Sequence, residues 1–190
     1  SQFQLGTLAA DVGRTADAVA ALTHASMVRP TDAEPHMALA DALLAANRPA
    51  DALASADTAV MLAATDPAPG LAARAHAVAS RVVIALGDFD AAAMHAANIG
   101  KAKGNGPAWE AYVRGRSSYA ADHHDEALTA LREASMAASA TDAPIPQLHL
   151  YLGHVLTRLT QYDEAAMEYR RELELFPQSL DAYEGVAAMY

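Results

Sequence analysis

The chain of 190 residues contains no cysteine, and this absence removes disulfides, a thiolate nucleophile and thiolate metal ligation in one step. It is compatible with either a reducing or an oxidising compartment, so localisation stays open, with the cytoplasm favoured over the periplasm. Basic residues are scarce: 13 Lys and Arg stand against 23 Asp and Glu, giving a formal charge of -10. A chain that neutralises a phosphate backbone presents the opposite balance, so nucleic acid is not the expected partner. No apolar run approaches the roughly 20 residues of a membrane-spanning helix, because Asp, Arg or His interrupts every alanine-rich stretch. The expected protein is therefore soluble. It shows no secretory signal, although it begins at Ser1, so a targeting segment could have been removed.

Catalytic signatures are missing as well. There is no phosphate-binding glycine loop, no nucleophile elbow and no kinase-like set, and Gly104-Asn105-Gly106 reads as linker. Asp125-Glu126 and Asp163-Glu164 read as acidic helix starts rather than as an acid and a base. The chain is expected to be no enzyme and to carry no cofactor. Eight histidines raise the question of a metal, yet His36, His76 and His149 recur at one repeat position, too far apart for shared coordination. His123-His124 sits in a turn, no His-Glu-x-x-His is present, and no metal site is expected. The seven methionines fall mostly at core spacing.

What is present is alanine and a repeat. Hydrophobic residues make up 53% of the chain but aromatics only 6%, which favours helices packed closely through small side chains. Leu5, Gly6, Ala18, Ala25 and Pro30 return 34 positions later as Leu39, Ala40, Ala52, Ala59 and Ala64. Apolar spacings of three and four predict helix pairs in units of about 1-32, 33-66, 71-100, 108-140 and 146-178, with a partial unit at 179-190. About six inserted residues precede Ala92, in the break Asp66-Pro67-Ala68-Pro69-Gly70. The stretch from Gly100 through Lys103 to Pro107 is by composition the most flexible linker.

Tyr151-Leu152-Gly153, Leu156, Tyr162-Asp163-Glu164-Ala165, Tyr169 and Pro177 resemble the tetratricopeptide repeat signature, and the other units are similar with more substitutions. The resemblance implies an all-α fold, a right-handed superhelical solenoid of antiparallel helix pairs forming a single array over residues 1-190. Arg114 stands where the pattern has an aliphatic residue and Ser118 replaces a large apolar one, so the fourth unit is expected to pack less tightly. Val186, Met189 and Tyr190 resemble the packing side of an unfinished repeat. A solenoid end of that kind predicts either a longer protein or an end that docks on another subunit.

Within the resemblance, one face of each first helix lines a concave groove that takes an extended peptide or a partner helix. Transferred position by position, that face holds Arg74 and Arg81 in the third unit, Trp109, Tyr112, Arg116 and Tyr119 in the fourth, and His154 and Arg158 in the fifth. Arginine forks suit carboxylates, and Trp and Tyr add apolar contact at low entropic cost. The expected function is a protein-interaction module whose groove captures an acidic or aromatic-bearing peptide or helix. The competing reading of these arginines is pairing with inter-repeat carboxylates such as Glu110. The lysine and asparagine by which some members grip acidic chaperone termini are replaced, in that register, by Phe3 and Thr7 in the first unit and by Ala38 in the second. Two alternatives stand beside the groove: a regulatory or targeting portion of a larger bacterial enzyme, and a scaffold that self-associates through its terminal repeats.

Overall fold

A computed structural model describes residues 1–68, 70–102 and 104–189; Pro69, Lys103 and Tyr190, which the sequence reading placed in a helix break, a linker and a packing face, lie outside the described residues. Among the described residues there are eleven α-helices and no strand. The chain divides into two compact units, Ser1–Gly104 and Asn105–Tyr190. The first contains α1 (Gln2–Asp11), α2 (Thr15–Val28), α3 (Ala33–Ala45), α4 (Pro49–Ala63), α5 (Leu71–Ala85) and α6 (Phe89–Lys101). The second contains α7 (Gly106–Ala120), α8 (His124–Ala140), α9 (Leu148–Arg158), α10 (Tyr162–Leu175) and α11 (Leu180–Ala188). The glycine-rich stretch is mostly helical rather than a free linker: Gly100 and Lys101 end α6, and Gly106 and Pro107 open α7. Gly104 is held by its N–H, which donates to the Ile99 carbonyl at 2.8 Å, and a Cβ on it would meet Ile99 and Ala73.

Every turn from the first to the second helix of a pair is built the same way. A residue at positive φ ends each first helix: Gly13, Asn47, Gly87, Asp122 and Thr160. The following N–H returns five residues to a helical carbonyl, as in Arg48 to Leu43 and Gln161 to Leu156, both at 2.8 Å. This closure satisfies carbonyls that the helix end would otherwise leave unpaired, and it requires the left-handed conformation at the turn residue. Glycine, asparagine and aspartate accept that conformation readily, whereas the β-branched Thr160 does so under strain.

Each pair is then locked by a size match between two positions 16 residues apart. Gly6 faces Leu22, Gly115 faces Leu131 and Gly153 faces Tyr169; a Cβ on any of these glycines would lie within 2.6 Å of the opposing side chain. At the equivalent positions of the second and third pairs, Ala40 and Ser80 stand 16 residues before Ala56 and Ala96, and all four are buried. The sum of the two side chains is thus kept within what a close helix crossing accepts, by glycine opposite a large residue or by two small ones. Tyr169 is confined further, since a Cβ on Gly185 of α11 would also meet its ring, at 2.7 Å.

The fourth pair does not pack loosely, contrary to the expectation from Arg114 and Ser118. Trp109, Tyr112, Val113, Leu128 and Leu131 are buried, and Arg114 is exposed and ion-paired with Glu133 of α8. Leu39, Ala79 and Leu152, at the equivalent position, are buried, whereas Leu5 in α1 is exposed. In α11 only Ala182 is buried; Val186 and Met189 are half-buried, and the more exposed apolar residues are Leu180 and Tyr183. The methionines also differ from the expected core pattern: Met37 is buried, but Met27, Met61, Met94, Met136 and Met167 are exposed.

Candidate functional site

In the first unit the two arginines of the expected face are already paired. The Arg74 Nη2 lies 3.2 Å from the Glu34 Oε1, and the Arg81 Nη2 lies 2.6 Å from the Asp41 Oδ1. Both carboxylates come from α3 and both arginines from α5, and within each helix the two residues are seven apart. Seven residues are two turns, so the pairs form two rungs on one side of the α3–α5 contact. Neither pair involves Glu110. The Arg81 side chain is only 20% exposed, and its Nε is buried with no hydrogen-bond partner. The carboxylate at Asp41 therefore offsets a partly desolvated charge more than it advertises a ligand site.

The second unit is arranged differently. Trp109 and Tyr112 are buried and meet edge to face at 5.7 Å, so they support the face from beneath rather than stand on it. The Arg116 Nη1 donates to the Tyr112 hydroxyl at 2.8 Å, and its guanidinium carbon sits 3.4 Å from the centroid of the Tyr151 ring. Stacking on a ring and donating to a phenol hold the guanidinium plane while leaving further N–H groups to be used. Tyr119 meets Tyr151 edge to face at 5.6 Å and stacks with His154 at 6.3 Å. His154 in turn meets Tyr151 at 5.2 Å and Tyr169 at 5.8 Å. Helices α7, α9 and α10 thus contribute one continuous aromatic cluster. Arg116 and Arg158 make no ion pair with a carboxylate among the described residues.

Burial pushes the His154 pKa below the ordinary histidine value; the carboxylate of Asp181 on α11 opposes that shift, and the charges of Arg116 and Arg158 reinforce it. A neutral ring between two guanidinium groups avoids a third positive charge. Burial likewise raises the Tyr169 pKa, against the contribution of its Thr157 hydrogen bond.

Of the sequence-derived residues, the structure brings Arg116, Tyr119 and His154 together, sets Arg158 electrostatically beside His154, buries Trp109 and Tyr112, and places Arg74 and Arg81 in the other unit. Tyr151, Tyr169 and Asp181 were not among them. Tyr151 lies three residues before His154 and so shares its face, a spacing visible in the sequence.

The histidines at the shared repeat position are hydrogen-bonded. The His76 Nδ1 lies 3.0 Å from the His95 Nδ1, and the His149 Nδ1 lies 2.6 Å from the Glu168 Oε2, each pair being 19 residues apart. Among the described residues no group of three or more His, Asp or Glu is placed to hold a metal ion. No helix among them is long and apolar enough to cross a membrane. A cleft of about 660 Å³ lies elsewhere in the second unit, bounded by Ser139, Ile145, Leu148, Met167, Arg171 and Leu175, and includes none of the face residues.

Comparison with known proteins agrees with the pairwise helix geometry. The chain is similar to a thermophilic tetratricopeptide-repeat protein of Thermus thermophilus, whose crystal structure matches with a TM-score of 0.71 at 22% identity, covering 99% of this chain and 96% of that one. It is also similar to the crystal structure of the APC/C hetero-tetramer Cut9-Hcn1 (TM-score 0.63, 14% identity, 100% of this chain and 35% of that one). A third similar structure is PilW, a type IV pilus biogenesis factor (TM-score 0.61, 17% identity, 96% and 80%). No curated protein matches. The tetratricopeptide repeat family model matches residues 3–70 and 112–180, well over half of the chain, and these helix pairs with their glycine-against-large-residue crossings belong to a member of the tetratricopeptide-repeat family.

Proposed function

We propose that the second unit is a peptide-capture module, not an enzyme, and that it takes an acidic, aromatic-bearing segment of a protein partner on the face formed by α7 and α9. Family membership supports the coarser part, a protein-interaction module. The observation that supports the finer part is the contrast between the arginines: Arg74 and Arg81 are each bound to a carboxylate of α3, whereas Arg116 and Arg158 are not ion-paired among the described residues. Arg116 is held over the Tyr151 ring with Tyr119 and His154 beside it, which offers a carboxylate a fork and an aromatic residue a ring to pack on.

The test is fluorescence anisotropy with labelled peptides that share one aromatic residue and differ in acidic or neutral flanks. The acidic set is expected to bind tighter, and Arg116→Ala with Arg158→Ala is expected to remove the preference. Arg74→Ala is expected to leave it unchanged. Equal affinity for acidic and neutral peptides would overturn the assignment.

A further inference from the structure

The second helices of the five pairs, α2, α4, α6, α8 and α10, share a buried register. In α2 it is Ala18, Leu22 and Ala25, at offsets of zero, four and seven, and the same offsets are buried from Ala52, Ala92, Ala127 and Ala165 in the other four. At about 100° per residue these offsets lie within roughly 60° of one another. Met27, Met61 and Met136 stand nine residues after that alanine, and Met94 and Met167 stand two after it. Offsets of two and nine point about 180–200° away from the first buried position, to the side opposite the core. Every second helix therefore presents one methionine on the side opposite its buried register, between 65% and 74% exposed, whereas Met37 is 7% exposed.

Packing does not account for this placement, because a side chain there has no core to fill. The chemistry of the thioether does. With no cysteine in the chain, methionine sulfur is its only sulfur nucleophile. We propose that these five methionines are sites of reversible oxidation by hydroperoxides, each on the solvent side of its own helix, where polarity can change while the fold is retained. The sulfur lone pair attacks the terminal peroxide oxygen, the O–O bond breaks, an S–O bond forms, and the second oxygen leaves as water when the oxidant is hydrogen peroxide. The thioether loses two electrons and becomes a polar sulfoxide, which methionine sulfoxide reductases return to the thioether. A core methionine would disrupt packing on the same conversion, whereas on Met27, Met61, Met94 and Met136 the new dipole meets water, and on Met167 it meets water at the rim of the cleft that this residue helps to bound.

The experiment is treatment of the whole chain with hydrogen peroxide, followed by peptide mapping, thermal melting and incubation with methionine sulfoxide reductases A and B. Met27, Met61, Met94, Met136 and Met167 are expected to gain one oxygen each, roughly tenfold faster than Met37, in line with their accessibility. The melting temperature is expected to hold within about 2 °C of the untreated chain, and the reductases are expected to restore the original masses. A variant with all five changed to Leu is expected to melt like the parent and to lose nearly all fast oxygen uptake. Oxidation of Met37 at the same rate, a clear fall in melting temperature on oxidation, or sulfoxides that the reductases leave untouched would overturn the proposal.

Discussion

Gly115→Ala tests whether the helix pairs are held by complementary sizes. The new Cβ would lie 2.6 Å from the Leu131 Cγ, 2.8 Å from its Cδ2 and 3.2 Å from its backbone nitrogen. The approach to the backbone needs a shift of only a few tenths of an ångström, whereas the side-chain overlap forces the fully buried Leu131 out of its packed position or α7 and α8 apart. Overpacking of this kind costs about 1–3 kcal/mol, and exchanging a helical glycine for alanine returns about 1 kcal/mol. The net expectation is a loss of about 0–2 kcal/mol. Leu131→Ala alone opens a cavity at a fully buried site and is expected to cost about 2–5 kcal/mol. In the double variant the alanine methyl enters the space that the leucine left, recreating the Ala40 and Ala56 pair. Gly115→Ala then becomes neutral or stabilising, so the two changes couple favourably by on the order of 2 kcal/mol. Trp109 is the only tryptophan and lies in α7 itself, so urea unfolding followed by its fluorescence reports the relevant unit. Additive costs, within about 0.5 kcal/mol, would refute size complementarity at this crossing.

Ser80 sits at the same crossing in the third pair, fully buried with an unpartnered hydroxyl, and Ser80→Ala is expected to stabilise by about 1 kcal/mol in urea unfolding followed by circular dichroism. Thr160→Gly relieves a β-branched residue at φ 61, where Gly13 and Gly87 occupy the equivalent turns, and is expected to gain about 1 kcal/mol in the same measurement. Glu172 accepts hydrogen bonds from the Gln147 and Leu150 N–H groups at 2.8 and 3.3 Å, serving the start of α9 from α10, so Glu172→Ala is expected to cost about 1–3 kcal/mol of unfolding free energy. Burial raises the pKa of Glu172 against those bonds and His149, so its contribution is full below the ordinary glutamate value and fades as pH rises through the folded one; Glu172→Gln is expected to remove that dependence in pH-resolved melts. Burial depresses both His76 and His95, with Asp57 opposing the shift at His95 and Lys101 reinforcing it at His76, so their contribution is present above the ordinary histidine value and is lost as pH falls through the folded ones. His95→Gln is expected to shrink the loss of melting temperature on acidification, and an unchanged slope would exclude the pair as its source.

Much of the helix architecture was legible because the repeat exposes it twice, once as small residues at the crossings and once as turn residues. Gly13, Asn47, Gly87 and Asp122 are residues that tolerate the left-handed conformation, and each stands inside a predicted unit, between its two helices. Thr160 carries no such signal, and the acidic helix start at Asp163-Glu164 located that turn. The glycine-rich segment near residue 104 was misread because composition cannot show that Gly104 is small to admit Ile99 and Ala73. Glycine there answers a packing demand, which looks identical in sequence to a demand for freedom.

The candidate face was legible as a direction but not as a depth. Three- and four-residue spacing correctly relates Arg116 to Tyr112 and Tyr119, yet burial depends on what other elements cover, and so Tyr112 lies beneath a face that Arg116 joins. The arginine pairs of the first unit were hidden by direction rather than by spacing, since the residues inserted before Ala92 place Arg81 at the repeat position of Asp41. Glu34 and Arg74, like Asp41 and Arg81, are 40 residues apart, because the break before α5 adds residues to a 34-residue period. Two kinds of arginine thus look alike in sequence. Those of α5 face acidic residues on the preceding first helix, α3, and are neutralised there; in the second unit Arg116 of α7 is met across the contact by Tyr151 of α9, whose ring orients the guanidinium without neutralising it. A cation held in place by an uncharged partner keeps its charge for something else, and that is the physical reason for placing ligand recognition on α7 and α9 rather than on α5.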